Sequence, residues 1–315
     1  MKRFASFVAI FVTALYSLQA QVVAFMPQWT AQSQFAGYYV ALEKGFYAEE
    51  GLEVLIEHFG GHAGSTAVEH LVRGDADIIT SQLATAIIAG GQGKKLVNVL
   101  QTSQKNGLMC VSHHPIAAPS SLDGARVGRW KSGFAEICDL FCHLNGLELD
   151  WIPYLQGINL FVSGAVEALL CYSYSEYLQL VLATGGIPEE NLIYFRDYGL
   201  DFPEDGLYVQ ESYYMENKET VDKFVRASKK GWDYARANFD ETLEITMQYV
   251  ERFDVVTNRT LQRRMLEEVL HLQLNPATGR ADYAPVSREV FGQMCSLFIE
   301  TGHLGSELKY EEMIR

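Results

Sequence analysis

Positive charge is scarce in this sequence. Its 315 residues include 25 lysines and arginines against 39 aspartates and glutamates, which gives a formal net charge of −14 at pH 7. A protein that binds nucleic acid needs a dense basic surface to neutralise phosphates, and no run of like charge here is long enough to supply one. The composition therefore predicts that nucleic acid is not a partner of this protein.

Motifs for catalysis and for metal binding are also missing. The sequence has no Cys-x-x-Cys or His-Glu-x-x-His pair, no Gly-x-Ser-x-Gly turn, no phosphate loop and no dinucleotide fingerprint. Its eight histidines follow no metal-ligand spacing, and its five cysteines leave at least one thiol unpaired. We predict that the protein is not an enzyme, that it holds no cofactor or metal, and that its cysteines are small core residues.

One stretch of the sequence is long, uncharged and mostly apolar. It runs over residues 4–18, begins after Lys2 and Arg3, and ends shortly before a small residue, Ala20. We predict an export signal over residues 1–20, cleaved near Ala20, and a periplasmic mature protein without stable membrane insertion. The alternative is a retained membrane anchor. It is disfavoured because a helix needs about 20 apolar residues to span a bilayer.

The rest of the chain has the composition of a folded protein, with 48% hydrophobic and 12% aromatic residues. From residue 22 onward, short β-type runs alternate with helical runs, and from residue 212 the pattern is almost entirely helical. Such alternation is typical of parallel sheets that are covered by helices. We therefore predict an α/β protein of about two domains, in which the helix-rich end covers the first α/β segment.

Aromatic and polar residues recur directly after the predicted strands. In open α/β sheets ligands bind beyond the carboxyl ends of the strands, and aromatic faces with a few fixed polar groups suit a flat heterocycle. Each such residue, taken alone, is more often a packing residue. Their shared position after the strand ends is what favours a ligand-binding role. The predicted ligand-binding residues are Trp29, Gln34, Tyr38, Ser81, Gln82, Trp130, Lys131, Tyr172 and Glu176.

Several segments resemble one protein family. Residues 29–54, WTAQSQFAGYYVALEKGFYAEEGLEV, resemble the start of the substrate-binding proteins of ABC importers related to thiamine-pyrimidine synthases and to the nitrate, sulfonate and taurine type. Further matches are GDAD at 74–77, NVLQTS at 98–103, NLFVSGAVEA at 159–168 and PEDGLYV at 203–209. The resemblance covers nearly the whole chain after the signal segment.

The resemblance implies a two-lobed periplasmic binding protein type 2 fold, with two helix-covered, parallel-type sheets joined by two crossing hinge strands. Lobe 1 is expected to comprise residues 21–107 and 208–315, and lobe 2 residues 108–207. The lobes are expected to close on a small-molecule ligand by hinge motion. The expected partners are the permease and ATPase subunits of an ABC importer, and the protein itself is expected to be a monomer.

The resemblance also implies roles for individual residues. Relatives that bind a pyrimidine stack its ring on one aromatic residue and hold it with a tyrosine and a glutamate four apart. By motif position these residues are Trp29, Tyr172 and Glu176. A carboxylate suits an aminopyrimidine because it accepts a hydrogen bond from the exocyclic amine.

The expected ligand is therefore a thiamine pyrimidine precursor, either hydroxymethylpyrimidine or formylaminopyrimidine. Riboflavin, a sulfonate or nitrate are the alternatives within the family. An anionic ligand would need a basic residue in the cleft, and Lys131 is the candidate for that role.

An enzyme of pyrimidine or thiamine biosynthesis on the same fold is the alternative function. The synthase relatives consume a histidine of their own and bind pyridoxal phosphate through a lysine, in the segment after the third strand. Here that segment, residues 80–86, reads TSQLATA and contains neither residue. Together with the predicted export signal, this departure favours capture of a ligand over its synthesis.

Overall fold

A computed structural model of the chain describes residues 20–58, 65–131 and 136–315. Apart from Ala20, the predicted export signal lies outside these residues. In the part of the chain that is described, no helix is both long and apolar enough to cross a membrane.

The described residues form ten β-strands and thirteen α-helices. The strands are β1 (Gln21–Met26), β2 (Leu52–Ile56), β3 (Ile78–Gln82), β4 (Leu96–Gln101), β5 (Leu108–Ser112), β6 (Arg126–Trp130), β7 (Asp150–Tyr154), β8 (Ala168–Tyr172), β9 (Leu192–Tyr194) and β10 (Asp205–Gln210). The helices are α1 (Ala36–Glu43), α2 (Phe46–Glu49), α3 (Ala67–Arg73), α4 (Leu83–Gly91), α5 (Glu136–Asn145), α6 (Asn159–Val162), α7 (Glu176–Thr184), α8 (Glu211–Glu216), α9 (Lys218–Ala237), α10 (Phe239–Arg252), α11 (Arg259–Leu272), α12 (Arg288–Glu300) and α13 (Tyr310–Met313).

The strands assemble into two five-stranded sheets. The first has the order β2-β1-β3-β10-β4, and the second has the order β7-β6-β8-β5-β9. β1 pairs in parallel with β2 and β3, and β6 pairs in parallel with β7 and β8. The predicted α/β class is confirmed. Each sheet is mixed rather than wholly parallel, because β10 and β5, which enter from the other sheet, run antiparallel to their neighbours.

Two segments connect the sheets in the described chain, residues 102–107 between β4 and β5 and residues 195–204 between β9 and β10. They are bonded to each other, since the main-chain N–H of Gly107 donates to Oε1 of Glu204 at 2.7 Å. β10 then completes the first sheet by inserting between β3 and β4. The division into two moving lobes stays a prediction.

Burial differs between the strands of each sheet. The residues of β2, LEVLI, alternate between buried and exposed because successive side chains of a strand point to opposite faces, whereas β4 at the other edge of the first sheet is almost wholly buried. The central strand β8, ALLCY, is buried at every residue. The cysteines are free thiols, and their predicted core position is confirmed for the four that are fully buried: Cys110, Cys138, Cys171 and Cys295.

The helix-rich end packs against the first sheet, as predicted. The long helix α9 runs along α1, and its Trp232 is buried with the ring centroid 5.5 Å from that of Tyr38. The two helix backbones come close where Gly231 faces Gly37. A Cβ atom on residue 231 would overlap the carbonyl oxygen of Gly37 and approach the Cβ atom of Ala41 to 2.7 Å. The contact between these helices therefore requires glycine.

Gly231→Ala is expected to destabilise the protein, because a methyl group forced into a close-packed contact costs roughly 1–3 kcal/mol. Urea unfolding measures this cost. Gly292→Ala is the matched control, since Gly292 also lies in a helix but a Cβ atom there would meet nothing within 4 Å. The control should be neutral or stabilising by up to about 1 kcal/mol. Equal free energies of unfolding for the two variants would contradict the packing argument.

Candidate functional site

The carboxyl ends of four strands converge between the two sheets. From the first sheet, Gln28 follows β1 and Gln82 is the last residue of β3. From the second sheet, Trp130 and Tyr172 are the last residues of β6 and β8. A cavity of about 30 Å³, the inner cavity, lies between these ends. Its lining residues are Gln28, Trp29, Gln32, Gln34, Gln82, Trp130, Tyr172, Tyr174, Ser175 and Glu176.

Aromatic rings form one wall of the inner cavity. The ring centroids of Trp130 and Tyr172 are 5.1 Å apart at an interplanar angle of 27°, and those of Tyr172 and Tyr174 are 5.1 Å apart at 21°. Trp29 lines the cavity from the side of the first sheet. Aromatic residues therefore line the cavity from both sheets, which suits a planar ligand.

His58 positions the main chain at Trp29. One ring nitrogen, Nδ1, hydrogen-bonds the carbonyl oxygen of Trp29, and the other, Nε2, hydrogen-bonds the hydroxyl of Tyr39 at 2.9 Å. Burial lowers the pKa of His58 to about 4, so the ring is neutral at pH 7. In the neutral ring Nδ1–H donates to the carbonyl and Nε2 accepts from the hydroxyl. His58 therefore contributes orientation and no charge.

Glu176 is a buried carboxylate on the second-sheet side of the inner cavity and the first residue of α7. Its Oε1 accepts from the indole N–H of Trp130 at 3.2 Å, and its Oε2 accepts from the main-chain N–H of Tyr172 at 3.4 Å. Burial raises the pKa of Glu176, and these donors oppose that shift. Among the described residues that line the cavity there is no lysine or arginine. The carboxylate is therefore suited to a ligand that donates hydrogen bonds.

Side-chain amides close the inner cavity from the first sheet. The Nε2 of Gln82 donates to the hydroxyl of Tyr172 at 2.6 Å, which joins the two sheets directly. The Nε2 of Gln32 donates to Oε1 of Gln34 at 2.7 Å. A volume of about 30 Å³ holds about one water molecule. The side chains around the inner cavity therefore fill almost all of the space between the strand ends.

A second buried carboxylate, Asp205, lies behind these amides as the first residue of β10. Its Oδ1 accepts from Nε2 of Gln28 and its Oδ2 accepts from Nε2 of Gln34, both at 2.7 Å. Burial raises the pKa of Asp205 to about 6, and the two amide donors oppose that shift. This carboxylate is stabilised by neutral hydrogen-bond donors.

A larger space, the outer chamber, opens beyond the inner cavity and has a volume of about 360 Å³. It shares Trp29, Gln32, Ser175 and Glu176 with the inner cavity. Its other walls are His58, residues 30–31, 156–157 and 253–257, and the side chains Gln179, Leu261, Gln262 and Met265. The site therefore has room for a ligand that extends beyond a single ring.

The inner cavity brings together a majority of the residues that the sequence predicts: Trp29, Gln34, Gln82, Trp130, Tyr172 and Glu176. The other three lie elsewhere. Tyr38 is buried in the core against Trp232. Ser81 precedes Gln82 in β3, and successive residues of a strand face opposite sides. Lys131 is exposed and is not among the residues that line either space.

Four residues that line the inner cavity and one that lies behind it are not among the nine predicted ligand-binding residues: Gln28, Gln32, Tyr174, Ser175 and Asp205. The first four are within two residues of predicted positions, so a wider window after each predicted strand includes them. Asp205 is different, because it reaches the site through the insertion of β10 beside β3. The one indication in the sequence that Asp205 has a role is that it lies in PEDGLYV, a segment that resembles the family.

A protein-family model described as NMT1/THI5 like matches residues 32–242. The chain belongs to the NMT1/THI5-like family. It is 28% identical over 271 residues to the riboflavin-binding protein RibY of Chloroflexus aurantiacus, a match that covers 82% of this chain and 75% of that protein. It is 25% identical over 266 residues to the formylaminopyrimidine-binding protein of Halalkalibacterium halodurans, covering 81% and 79%.

The fold of this NMT1/THI5-like protein is shared with solved periplasmic proteins. The periplasmic aliphatic sulphonate binding protein SsuA of Escherichia coli matches with a TM-score of 0.69 at 14% identity, over 94% of this chain and 92% of that one. The expected periplasmic binding protein fold is therefore confirmed. The two relatives and this solved structure are all named as binding proteins.

Asp205 makes the stability of this NMT1/THI5-like protein depend on pH. Its pKa is about 6 in the folded protein against a usual 3.8, so the folded state binds the proton more tightly than the unfolded chain does. The stabilisation from this proton is complete below about pH 4 and is lost as the pH rises through about 6. Relative to Asp205→Asn, the free energy of unfolding of the wild type should fall by roughly 2–3 kcal/mol across that range.

Urea unfolding at a series of pH values measures this difference. Asp201→Asn is the control, because Asp201 is an exposed carboxylate in the connection that precedes β10 and accepts the main-chain N–H of Asn106 at 2.8 Å. The control should follow the wild type at every pH. If the difference between wild type and Asp205→Asn did not change with pH, the folded state would not hold the Asp205 proton more tightly.

Proposed function

We propose that this protein captures a flat nitrogen heterocycle in the periplasm and delivers it unchanged to an ABC importer. The first candidate ligand is a thiamine pyrimidine precursor, either hydroxymethylpyrimidine or formylaminopyrimidine. The observation that carries this proposal is a single cavity in which stacked aromatic rings, side-chain amides and the buried Glu176 carboxylate meet. One relative is named a formylaminopyrimidine-binding protein, which supports this ligand class.

The chemistry of the inner cavity matches an aminopyrimidine. A ring placed between Trp29 and the pair Trp130–Tyr172 would be covered by aromatic surface on both faces, and each aromatic pair contributes about 0.5–1.5 kcal/mol beyond area burial. The exocyclic amine can donate to Glu176, which gives a charge-assisted hydrogen bond. Burial strengthens that bond because no bulk water competes for the carboxylate.

A sulfonate or nitrate fits this cavity less well. Such an anion would face Glu176 without a lysine or arginine among the described lining residues to neutralise it. Lys131, the cation that the sequence offered for this role, is exposed outside the cavity. The formal net charge of −14 adds long-range repulsion of anions.

Capture requires the two sheets to separate and close again. A ring can enter the inner cavity when the bond between Gln82 and Tyr172 opens, and the connections at 102–107 and 195–204 provide the hinge between the two proposed lobes. Ligand contacts from both sheets then favour the closed form. In this proposal the exported protein acts as a monomer, and the permease and ATPase subunits of the importer are its partners.

Glu176→Gln and Trp29→Ala are each expected to weaken binding of formylaminopyrimidine or hydroxymethylpyrimidine without unfolding the protein. A charge-assisted hydrogen bond or a stacking contact is worth roughly 1–3 kcal/mol, so the dissociation constant should rise about 5- to 150-fold. Isothermal titration calorimetry measures the constants. Lys131→Ala is the control and should bind as the wild type does, because Lys131 does not line the cavity.

The outcomes of this titration separate the ligand classes. If Lys131→Ala alone lost binding, and the ligand were an anion, the heterocycle proposal would be wrong. Unchanged affinity in both site variants would refute the assignment of the inner cavity. Mass spectrometry of ligand recovered from the complex distinguishes capture from catalysis, because a binding protein releases one unaltered molecule per chain.

The outer chamber favours riboflavin as a second candidate ligand. Its volume of about 360 Å³ exceeds what a single pyrimidine ring needs, and it continues from the inner cavity at Trp29 and Glu176. A flavin ring held between the aromatic residues would extend its polyhydroxylated side chain into this chamber, where Gln179 and Thr257 can form hydrogen bonds. One relative is named a riboflavin-binding protein, which supports this candidate.

Gln179→Trp distinguishes the two candidates. Gln179 lies one turn of α7 after Glu176 and lines the outer chamber but not the inner cavity. The larger side chain should weaken riboflavin binding about tenfold or more and leave binding of hydroxymethylpyrimidine unchanged. Gln179→Ala is the control: it removes a hydrogen-bonding group without filling the chamber, so it should weaken riboflavin binding less than Gln179→Trp does. Quenching of flavin fluorescence measures the first ligand, and unaltered riboflavin affinity in Gln179→Trp would show that the outer chamber is not used.

A further inference from the structure

We infer that Asp205 determines which ligands this site accepts by fixing the orientation of three glutamine side chains. Gln28 and Gln34 are held directly, and Gln32 is held through Gln34. Their fixed orientation turns carbonyl oxygens into the inner cavity, so the site selects ligands that carry N–H donors. The ligand class rests on the proposed function, whereas the orientation of the amides does not depend on it.

The direct step follows from the chemistry of a carboxylate, which in its ionised form accepts hydrogen bonds and donates none. The two oxygens of Asp205 lie 2.7 Å from Nε2 of Gln28 and 2.7 Å from Nε2 of Gln34. If either amide were reversed, its carbonyl oxygen would face a carboxylate oxygen at hydrogen-bond distance. Ionised Asp205 therefore permits one orientation of each amide.

The orientation of the Gln34 amide in turn fixes that of the Gln32 amide. Because Gln34 turns its nitrogen to Asp205, its Oε1 is left to accept, and it accepts from Nε2 of Gln32 at 2.7 Å. Asp205 lies behind the glutamines and is not among the residues that line the cavity, whereas Gln28 and Gln32 do line it. The ends of these two amides that point away from the bonded chain are their carbonyl oxygens.

The cavity consequently presents acceptors from both sheets. On the first-sheet side, Gln28 and Gln32 line the cavity and their nitrogen atoms are bonded to Asp205 and Gln34, which leaves their carbonyl oxygens to face it. On the second-sheet side, the carboxylate of Glu176 lines it. A ligand without N–H groups would leave these buried acceptors unpaired, which costs more than the loss of a hydrogen bond alone. An aminopyrimidine can offer them the two N–H groups of its exocyclic amine, and a flavin can offer its one ring N–H.

Protonation of Asp205 removes this constraint, because a protonated carboxyl can donate a hydrogen bond and one of the two amides can then reverse. The titratable groups that face Asp205 are Glu204, Tyr38, Tyr172, Tyr174 and Tyr208. None of them is a cation, and burial raises the pKa of Asp205 to about 6. Affinity for a ligand with N–H donors is therefore expected to be higher above that pH than below it.

The first test uses the ligand-free protein. In protein labelled with ¹⁵N at the glutamine side chains, the amide signals of Gln28 and Gln34 are followed by NMR over a pH series that brackets about 6. Both signals should shift with one common midpoint, well above the ordinary range of an aspartate. The midpoint should be present in Asp201→Asn, whose exposed carboxylate does not contact the glutamines, and absent in Asp205→Asn.

The second test measures selectivity with two ligand pairs. The first pair is hydroxymethylpyrimidine and the same pyrimidine without its amino group, and the second is riboflavin and its derivative methylated at the ring N–H. Asp205→Asn keeps the size of the side chain but offers one acceptor and one donor, so one glutamine must reverse. The preference of the wild type for the N–H ligand of either pair should fall about tenfold or more in this variant.

The outcomes are distinct. Glutamine signals that do not titrate in the wild type would overturn the inference, whatever binds. Titrating signals with an unchanged preference in Asp205→Asn would overturn it as well. Titrating signals in a protein that binds neither pair would support the fixed amides and count against the proposed function. If Asp205→Asn did not fold, the titration and pH-dependent preference of the wild type would still decide the question.

Discussion

The structure depends on the hydrogen bonds that the main-chain carbonyl of Asp205 accepts where the two sheets are connected. Its oxygen accepts from the main-chain N–H groups of Thr102 and Ser103 at 2.9 and 3.0 Å, and from the side chains of Thr102 and Gln101 at 2.8 and 2.9 Å. The carbonyl of Glu204 accepts from the N–H of Leu83 at 2.9 Å. These bonds tie Glu204 and Asp205 to the end of β4, to the connection at 102–107 and to the start of α4, and they hold Asp205 where its side chain contacts Gln28 and Gln34. Asp205 therefore joins the connected region between the sheets to the candidate site.

The site keeps carboxylates buried at an electrostatic cost. Burial raises the pKa of Asp205, Glu204 and Glu176, and the hydrogen bonds that oppose these shifts come from main-chain N–H groups and neutral side chains. Replacing such groups by apolar residues often stabilises a protein, so their presence indicates a use other than stability. Of the three, Glu176 lines the inner cavity, so in the proposed function a ligand with N–H donors would pair with it directly. The electrostatic cost of burying Glu176 would then be part of the recognition of the ligand.

Local patterns in the sequence predict those parts of the structure that are themselves local. Alternation of apolar runs predicts the strands, and the rule that ligands bind beyond strand ends predicts Trp29, Gln82 and Tyr172 in the cavity. The same rule cannot tell which face of an element points outward, which is why Tyr38 lies in the core. Gln28 and Asp205 are 177 residues apart in the chain. Their contact exists because β10 inserts beside β3, and no local pattern contains that pairing.

Closure and selectivity would be physically coupled in the proposed function. Gln82 donates to Tyr172 across the two sheets, so in the proposed closure the net binding energy is the difference between the ligand contacts and the bond that they replace. A ligand without N–H donors would break that bond and give the acceptors of the inner cavity no donor in return, so it would stabilise the closed form less than a ligand with N–H donors would. Asp205 begins β10 directly after the connection at 195–204, so the residue that holds Gln28 and Gln34 lies next to the proposed hinge. In this proposal closure itself would discriminate between ligands, because an unsuitable ligand would not stabilise the closed conformation.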